Sequence, residues 1–128
     1  ARSATFYVYA TNTTDVEFAW VWTWAEDELS GSFTFYDGDP ATAPVQSSIT
    51  WSKTADANSF DMTWETPGQA KAVSHFEKDP CLGWYKTYQW DDSIPGWWLE
   101  NDIVWNGDGT GYWKVYDDSG ELQEEHLW

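Results

Sequence analysis

The sequence predicts an all-β protein in which about ten antiparallel strands form a meander, closed as an up-and-down barrel or folded as a β-sandwich. Three observations lead to this prediction. Residues 16–25 place an aromatic ring at every second position, at Phe18, Trp20, Trp22 and Trp24, which is the period of a strand. No segment shows the period of a long helix. An aromatic unit recurs four times at the spacing of one hairpin.

The strands follow from alternation between turn-like segments. Residues 5–11 alternate as a strand, with Phe6, Val8 and Ala10 on one face and Tyr7 and Tyr9 on the other, and a polar turn joins them to residues 16–25 as a hairpin. The apolar residues between the rings of the second strand predict that it is covered on both faces. The longest loop is predicted over residues 38–48. The remaining strands are predicted at residues 31–36, 48–53, 59–65, 84–90, 97–105, 111–116 and 122–128.

One segment, residues 69–79, is ambiguous between a short helix and a strand. Ala70, Val73 and Phe76 fall three apart, as on one side of a helix. The aromatic repeat favours the strand, because its four units start at Gly31, Ser59, Gly83 and Gly111, with spacings of 28, 24 and 28 residues. Each spacing is the length of one hairpin with its return, so we predict a strand here as well.

The length of the chain indicates one domain spanning residues 1–128, which is long enough to bury a core without disulfides. The single cysteine, Cys81, cannot form an internal disulfide. No apolar run reaches the length of a membrane span. The chain begins at Ala1, and Asn12 opens an Asn-Thr-Thr glycosylation sequon. We therefore expect a secreted protein, with Asn12 as its candidate glycosylation site.

Charge excludes nucleic acid as a partner. The chain holds 22 acidic and six basic residues, for a formal net charge of −16, whereas phosphate binding needs a basic stripe. An acidic surface keeps an aromatic-rich protein soluble and attracts cationic ligands.

The aromatic content predicts a binding surface. A core of this size cannot hide all of 12 Trp, seven Tyr and six Phe, and exposed rings usually mark binding sites. Rings beside carboxylates and amides suit sugars, whose C–H faces stack on aromatics while their hydroxyls form hydrogen bonds. The candidate ligand-binding residues are Trp84, Tyr88, Trp90, Asp92, Trp98, Glu100 and Asn101. We expect a non-catalytic carbohydrate-binding protein of the lectin or carbohydrate-binding-module type.

Strand alternation orders the candidates within residues 97–105. It predicts that Leu99, Ile103 and Trp105 share an inward face with Trp97. Trp98 would then lie on the outward face with the carboxylates of residues 100 and 102, as the best exposed ring.

Two alternatives use the same aromatic residues differently. In a barrel, Trp20, Trp22 and Trp24 line a pocket for a small apolar or cationic ligand, similar to lipocalin carriers. In a structural or self-assembling protein, the aromatic faces pair between subunits of a homo-oligomer. A ligand titration discriminates these alternatives from the sugar-binding hypothesis.

Metal, cofactor and catalytic motifs are weak or missing in the sequence. The Asp-Gly and Asn-Gly turns lack EF-hand spacing, and the two histidines form no zinc-type pair. We predict no metal or cofactor site. Carboxylate pairs such as Glu100 with Asp102, or Glu65 with Asp61, are candidates for glycoside hydrolysis. With 22 acids such pairs arise by chance, so the sequence favours a binding protein over an enzyme.

Overall fold

The computed structural model describes residues 2–128, which form ten β-strands. The strands are β1 Arg2–Tyr9, β2 Val16–Trp24, β3 Ser30–Tyr36, β4 Val45–Lys53, β5 Ser59–Thr66, β6 Ala70–Glu77, β7 Leu82–Asp91, β8 Gly96–Trp105, β9 Gly111–Tyr116 and β10 Leu122–Leu127. Residues 2–128 contain no helix that is long and apolar enough to cross a membrane.

All ten strands belong to one antiparallel sheet, in which each strand pairs with its neighbours in sequence. The predicted all-β meander of ten strands is confirmed. The two outer strands do not meet, because β1 pairs only with β2 and β10 only with β9 among the described residues. The sheet is therefore open, and the closed barrel that the sequence also allowed is not formed.

The ambiguous segment is a strand, β6, as predicted. Its residues Ala70–Glu77 pair along their whole length with β5 on one side and β7 on the other. The turn before it contains Gly68 at a φ of +68°, a conformation that favours glycine. Two neighbouring strands supply backbone partners that an isolated helical turn would lack, so the strand is favoured over the helix.

Register gives the sheet two chemically different faces. Residues opposite each other across neighbouring strands share a face, and successive residues alternate. One side, called here the aromatic face, carries all the phenylalanines and most tryptophans. Its rings are Phe6, Phe18, Trp20, Trp22, Trp24, Phe33, Phe35, Trp51, Phe60, Trp64, Phe76, Tyr85, Trp98, Trp105, Trp113 and Trp128. On the opposite face, β3 to β5 carry mostly serine and threonine.

The sheet is a single layer with very little interior. Its accessible surface is 8256 Å², whereas a compact monomer of this mass exposes about 7,000 Å². Ala19, flanked in the register by Tyr7 and Tyr36, is the one buried apolar residue in the described part of the chain. The prediction that β2 is covered on both faces is wrong, since Trp22 is 43% exposed.

Three of the four repeat units begin with a glycine that lies against an indole ring. Gly31, Gly83 and Gly111 each lie opposite a tryptophan of the next strand or chain end, and a Cβ placed on them would meet the indole ring. The indoles are those of Trp51, Trp105 and Trp128. Three of the four repeat units therefore begin where an indole packs against the backbone of a neighbouring strand and only glycine leaves enough space.

Candidate functional site

A β-bulge in β7 and β8 decides which side chains share a face. The register is Thr87 with Asn101 on one side of the bulge and Tyr88 with Leu99 on the other, which leaves Glu100 as the extra residue. A bulge inserts one residue and so shifts the alternation of all positions beyond it.

This shift overturns the predicted alternation within β8. Trp98 pairs with Gln89 on the aromatic face, whereas Asp102 pairs with Lys86 on the opposite face. Leu99 and Trp97 are likewise separated from Ile103. The expectation that Trp98 shares a face with Asp102 is therefore wrong, and the reason is the extra residue at position 100.

The seven predicted ligand-binding residues consequently fall on two sides of the sheet. Trp98 and Asn101 lie on the aromatic face, and Glu100 joins them through its hydrogen bond to Gln89. The opposite face carries Trp84, Tyr88 and Trp90. Asp92 lies beyond the end of β7, where its carboxylate accepts a hydrogen bond from the indole of Trp90 at 2.7 Å.

Four polar side chains meet on the aromatic face and form what we call the polar cluster: Thr87, Gln89, Glu100 and Asn101. Gln89 Nε2 donates to Glu100 Oε2 at 2.9 Å. Asn101 Nδ2 donates to Thr87 Oγ1, also at 2.9 Å. The indole Nε1 of Trp113 donates to Asn101 Oδ1 at 2.9 Å. These bonds fix the cluster between β7, β8 and β9.

The polar cluster keeps hydrogen-bonding capacity for a ligand. The carboxylate of Glu100 offers about four lone-pair sites, of which Gln89 takes one. Asn101 has a second amide N–H, and the hydroxyl of Thr87 has a proton to donate. All four side chains are half-buried, so their orientation is restrained while their outer atoms stay accessible.

Aromatic rings surround the polar cluster. Tyr85 and Trp113 are 39% and 38% exposed and lie in one register row, separated by Ile103 of the strand between them. Two strand spacings place them about 9.6 Å apart. Trp98 completes the surround beside Gln89. The arrangement is a solvent-accessible polar patch beside aromatic rings.

The rings of the opposite face are occupied by lysines. Lys71 Nζ lies 5.0 Å from the ring centroid of Tyr88 and 4.9 Å from that of Trp97. Trp97 also contacts Trp90 edge to face at 5.1 Å. Cation–π contacts of this kind stabilise a sheet surface and reduce the ring area open to a ligand.

Asp102 is the buried carboxylate of this opposite face, with 7% of its surface exposed. Lys86 Nζ lies 3.5 Å from Asp102 Oδ1, and the hydroxyl of Tyr112 donates to Oδ2 at 3.2 Å. Burial, and then the negative charge of Asp102, raise the pKa of Tyr112 above its usual value. The group is a cross-strand anchor that holds β7, β8 and β9 together.

The carboxylate pairs considered for hydrolysis are not arranged for it. Glu100 bonds to Gln89 on the aromatic face, whereas Asp102 lies on the opposite face. Asp61 and Glu65 are four residues apart on β5, about 13 Å along a strand. Glycosidase carboxyl groups lie about 5 to 9.5 Å apart across one cleft.

The rings of Trp20, Trp22 and Trp24 lie on an open surface, which corrects their role as barrel-lining residues. Together with Ala4 and Phe6 they line a shallow concavity of about 530 Å³. An open sheet provides no enclosed interior in which a carrier could hold an apolar ligand. Asn12 lies in the exposed turn before β2, at a φ of 60°.

Four residues of this site were missed by the sequence reasoning: Tyr85, Thr87, Gln89 and Trp113. Strand alternation places Thr87 and Asn101 on the same face as Trp98 only when the bulge in β8 is taken into account. Residues 99–101 contain no glycine or proline that would indicate a bulge. The meander predicted that the strand of Trp113 lies next to β8, but it did not predict the register that places Trp113 opposite Ile103 and beside Asn101.

Comparison with known proteins adds no relative from which a function could be transferred. No protein-family model, no curated protein and no solved structure matches the chain.

Proposed function

We propose that this protein is a non-catalytic carbohydrate-binding protein, whose aromatic face binds a glycan around the polar cluster. The observation that carries the proposal is the polar cluster itself: amide, hydroxyl and carboxylate groups with free capacity, set beside the exposed rings of Tyr85 and Trp113. Sugars present alternating apolar C–H faces and hydroxyl groups, and a site with flat rings and a few directed polar groups complements both.

The shape and charge of the surface narrow the ligand class. The sheet is open, so a chain of sugars can lie across several strands without having to enter a pocket. The net charge of −16 repels acidic polysaccharides at moderate ionic strength. We therefore propose a neutral oligosaccharide or polysaccharide as the ligand.

Isothermal titration calorimetry with neutral glycans of different linkage tests the proposal. We expect Trp113→Ala and Trp98→Ala each to weaken binding by more than about 1 kcal/mol, which is about fivefold in the dissociation constant. Each variant removes a stacking surface beside the polar cluster. Asn101→Ala should weaken binding as well, because it removes hydrogen bonds without removing a ring.

Trp84→Ala is the matched control, since it also removes an indole, but from the opposite face of the sheet, on β7. Its circular dichroism spectrum and binding constant should both remain close to those of the parent chain. If Trp84→Ala weakens binding as much as Trp113→Ala, the ligand does not lie on the aromatic face. Absence of binding to every neutral glycan would refute the proposed function.

A further inference from the structure

The N-terminal part of the aromatic face is wide and mostly apolar, and its two cationic side chains lie at its edges: Arg2 opposite Trp24 on the outer strand β1, and Lys53 opposite Phe60 at the end of β4. Apart from Lys53 and Thr66 at the strand ends, its aromatic-face positions on β2 to β5 are Phe18, Trp20, Trp22, Trp24, Gly31, Phe33, Phe35, Ser47, Ile49, Trp51, Phe60, Met62 and Trp64. None of these thirteen residues is ionisable, in a chain with 22 acids and six basic residues. We call this region the apolar half.

The area of the apolar half is that of a protein interface. Trp22, Phe60, Met62 and Trp64 are between 36% and 43% exposed, and their neighbours are half-buried. With about 150 to 250 Å² per ring, the region exposes roughly 600 to 900 Å² of mostly apolar surface. A standard stable interface buries about 800 Å² on each partner.

We propose that a second copy of this chain covers the apolar half, so that two sheets pack face to face around a two-fold axis. A two-fold interface joins the same patch on both copies, and a mostly apolar aromatic surface with its cations at the edges is complementary to itself. Stacked sheets lie about 10 Å apart. Such a dimer supplies the second layer that the single sheet lacks.

The charge distribution favours a second copy over a charged partner. The acidic residues of β5, Asp61 and Glu65, lie on the opposite face, and Glu26, Asp27 and Glu28 lie in the turn after β2. In the dimer these carboxylates stay in water at the outside. Repulsion between two copies of charge −16 acts over the Debye length and falls as salt is added.

The dimer leaves the proposed glycan site open. Neighbouring strands rotate by roughly 20 to 25°, so two sheets that meet at β2 to β5 diverge before β7 to β9. The polar cluster lies on those later strands. The inference does not depend on sugar binding, and either proposal can fail while the other holds.

Analytical ultracentrifugation of the whole chain tests the dimer. We expect the parent chain to sediment with twice the monomer mass of 14.8 kDa. Its dissociation constant should decrease between about 0.05 and 0.5 M sodium chloride, because salt screens the repulsion and strengthens apolar association.

A pair of charge-adding variants locates the contact. Met62→Glu places a carboxylate inside the apolar half, and we expect it to raise the dissociation constant at least about tenfold. Thr50→Glu places the same charge on the neighbouring strand but on the opposite face. It should change the dissociation constant of the dimer by less than about threefold. Trp22→Ser, on a different strand, should also weaken the dimer.

Three results would overturn the proposal. The first is a parent chain that remains monomeric at about 100 µM. The second is equal weakening by Met62→Glu and Thr50→Glu with both variants folded, since the contact would then lie elsewhere. The third is dissociation of the dimer by a neutral glycan, which would assign the apolar half to the ligand.

Discussion

Glycine and tryptophan depend on each other at the contact between Gly83 and Trp105. Gly83 is buried, and a Cβ at this position would lie 2.8 Å from the indole of Trp105 and even closer to the backbone carbonyl of His75. A side chain can rotate away from such an overlap, but a strand carbonyl in a ladder cannot. The glycine is therefore required by its neighbours on both strands.

Gly83→Ala should destabilise the fold by about 1 to 3 kcal/mol, the usual cost of overpacking. Urea denaturation followed by circular dichroism measures this loss. Gly96→Ala is the control, because a Cβ there meets nothing closer than 3.6 Å. Equal stability of the two variants would show that Trp105 does not rest on Gly83.

Residue types in this chain predict a ring-rich surface, but they do not predict which rings share it. The sequence identified Trp98, Glu100 and Asn101 as binding candidates, and the structure brings these three together. It also suggested Trp84, Tyr88 and Trp90, which lie on the opposite face. The difference is one extra residue in β8, and a single-residue shift reverses the face of every side chain after it.

The turns between strands are held by aspartates with the same pattern of contacts. Asp117 Oδ1 accepts hydrogen bonds from the hydroxyl of Ser119, at 2.7 Å, and from the backbone N–H groups of Ser119 and Glu121, both at 3.0 Å. The bond from Ser119 is the main reason that the pKa of Asp117 is lowered from 3.8. The pKa of Asp56, Asp91 and Asp108 is lowered in the same way, by Thr54, Ser93 and Thr110.

These aspartates predict acid sensitivity. An aspartate whose pKa is lower in the folded than in the unfolded state stabilises the fold at pH values above its unfolded-state pKa, near 3.8. This stabilisation is lost as the pH falls through the folded-state pKa. The melting temperature should therefore decrease below about pH 4, and by less in Asp117→Asn. Asp118→Asn, which removes an exposed charge one residue away, should behave like the parent chain.

Among the strands, the sequence predicted positions well and lengths less well. The ninth strand has the predicted bounds, Gly111–Tyr116. The first begins at Arg2 and ends at Tyr9, earlier than predicted at both ends, because pairing with β2 sets its limits. β6 was the hardest to assign, since spacing by three is compatible with a helix and the two neighbouring strands decide the outcome.

Closure was the property of the whole molecule that could not be predicted. Alternation and repeat length are the same for an open meander, a barrel and a sandwich, since they fix pairing between neighbours only. Whether the outer strands meet depends on strand tilt and stagger accumulated over the sheet. A pattern in the residues of single strands does not record these quantities.

A single layer with nearest-neighbour pairing should open from its edges. We expect amide hydrogen exchange to be fastest in β1 and β10, which have a partner on one side only, and slowest in β7 and β8, the longest strands. Exchange mass spectrometry on peptides from each strand measures this gradient. Equal protection in all ten strands would contradict it and indicate one cooperative unit.

The open sheet has no circumference to complete and no core volume to fill. Insertion of a further hairpin between two existing ones would lengthen both faces by the same pattern of rings and hydroxyls, and each inner strand would still have two partners. The number of hairpins can therefore change by duplication or loss without redesign of the remainder. The width of the surface that a partner can contact therefore depends on the number of hairpins.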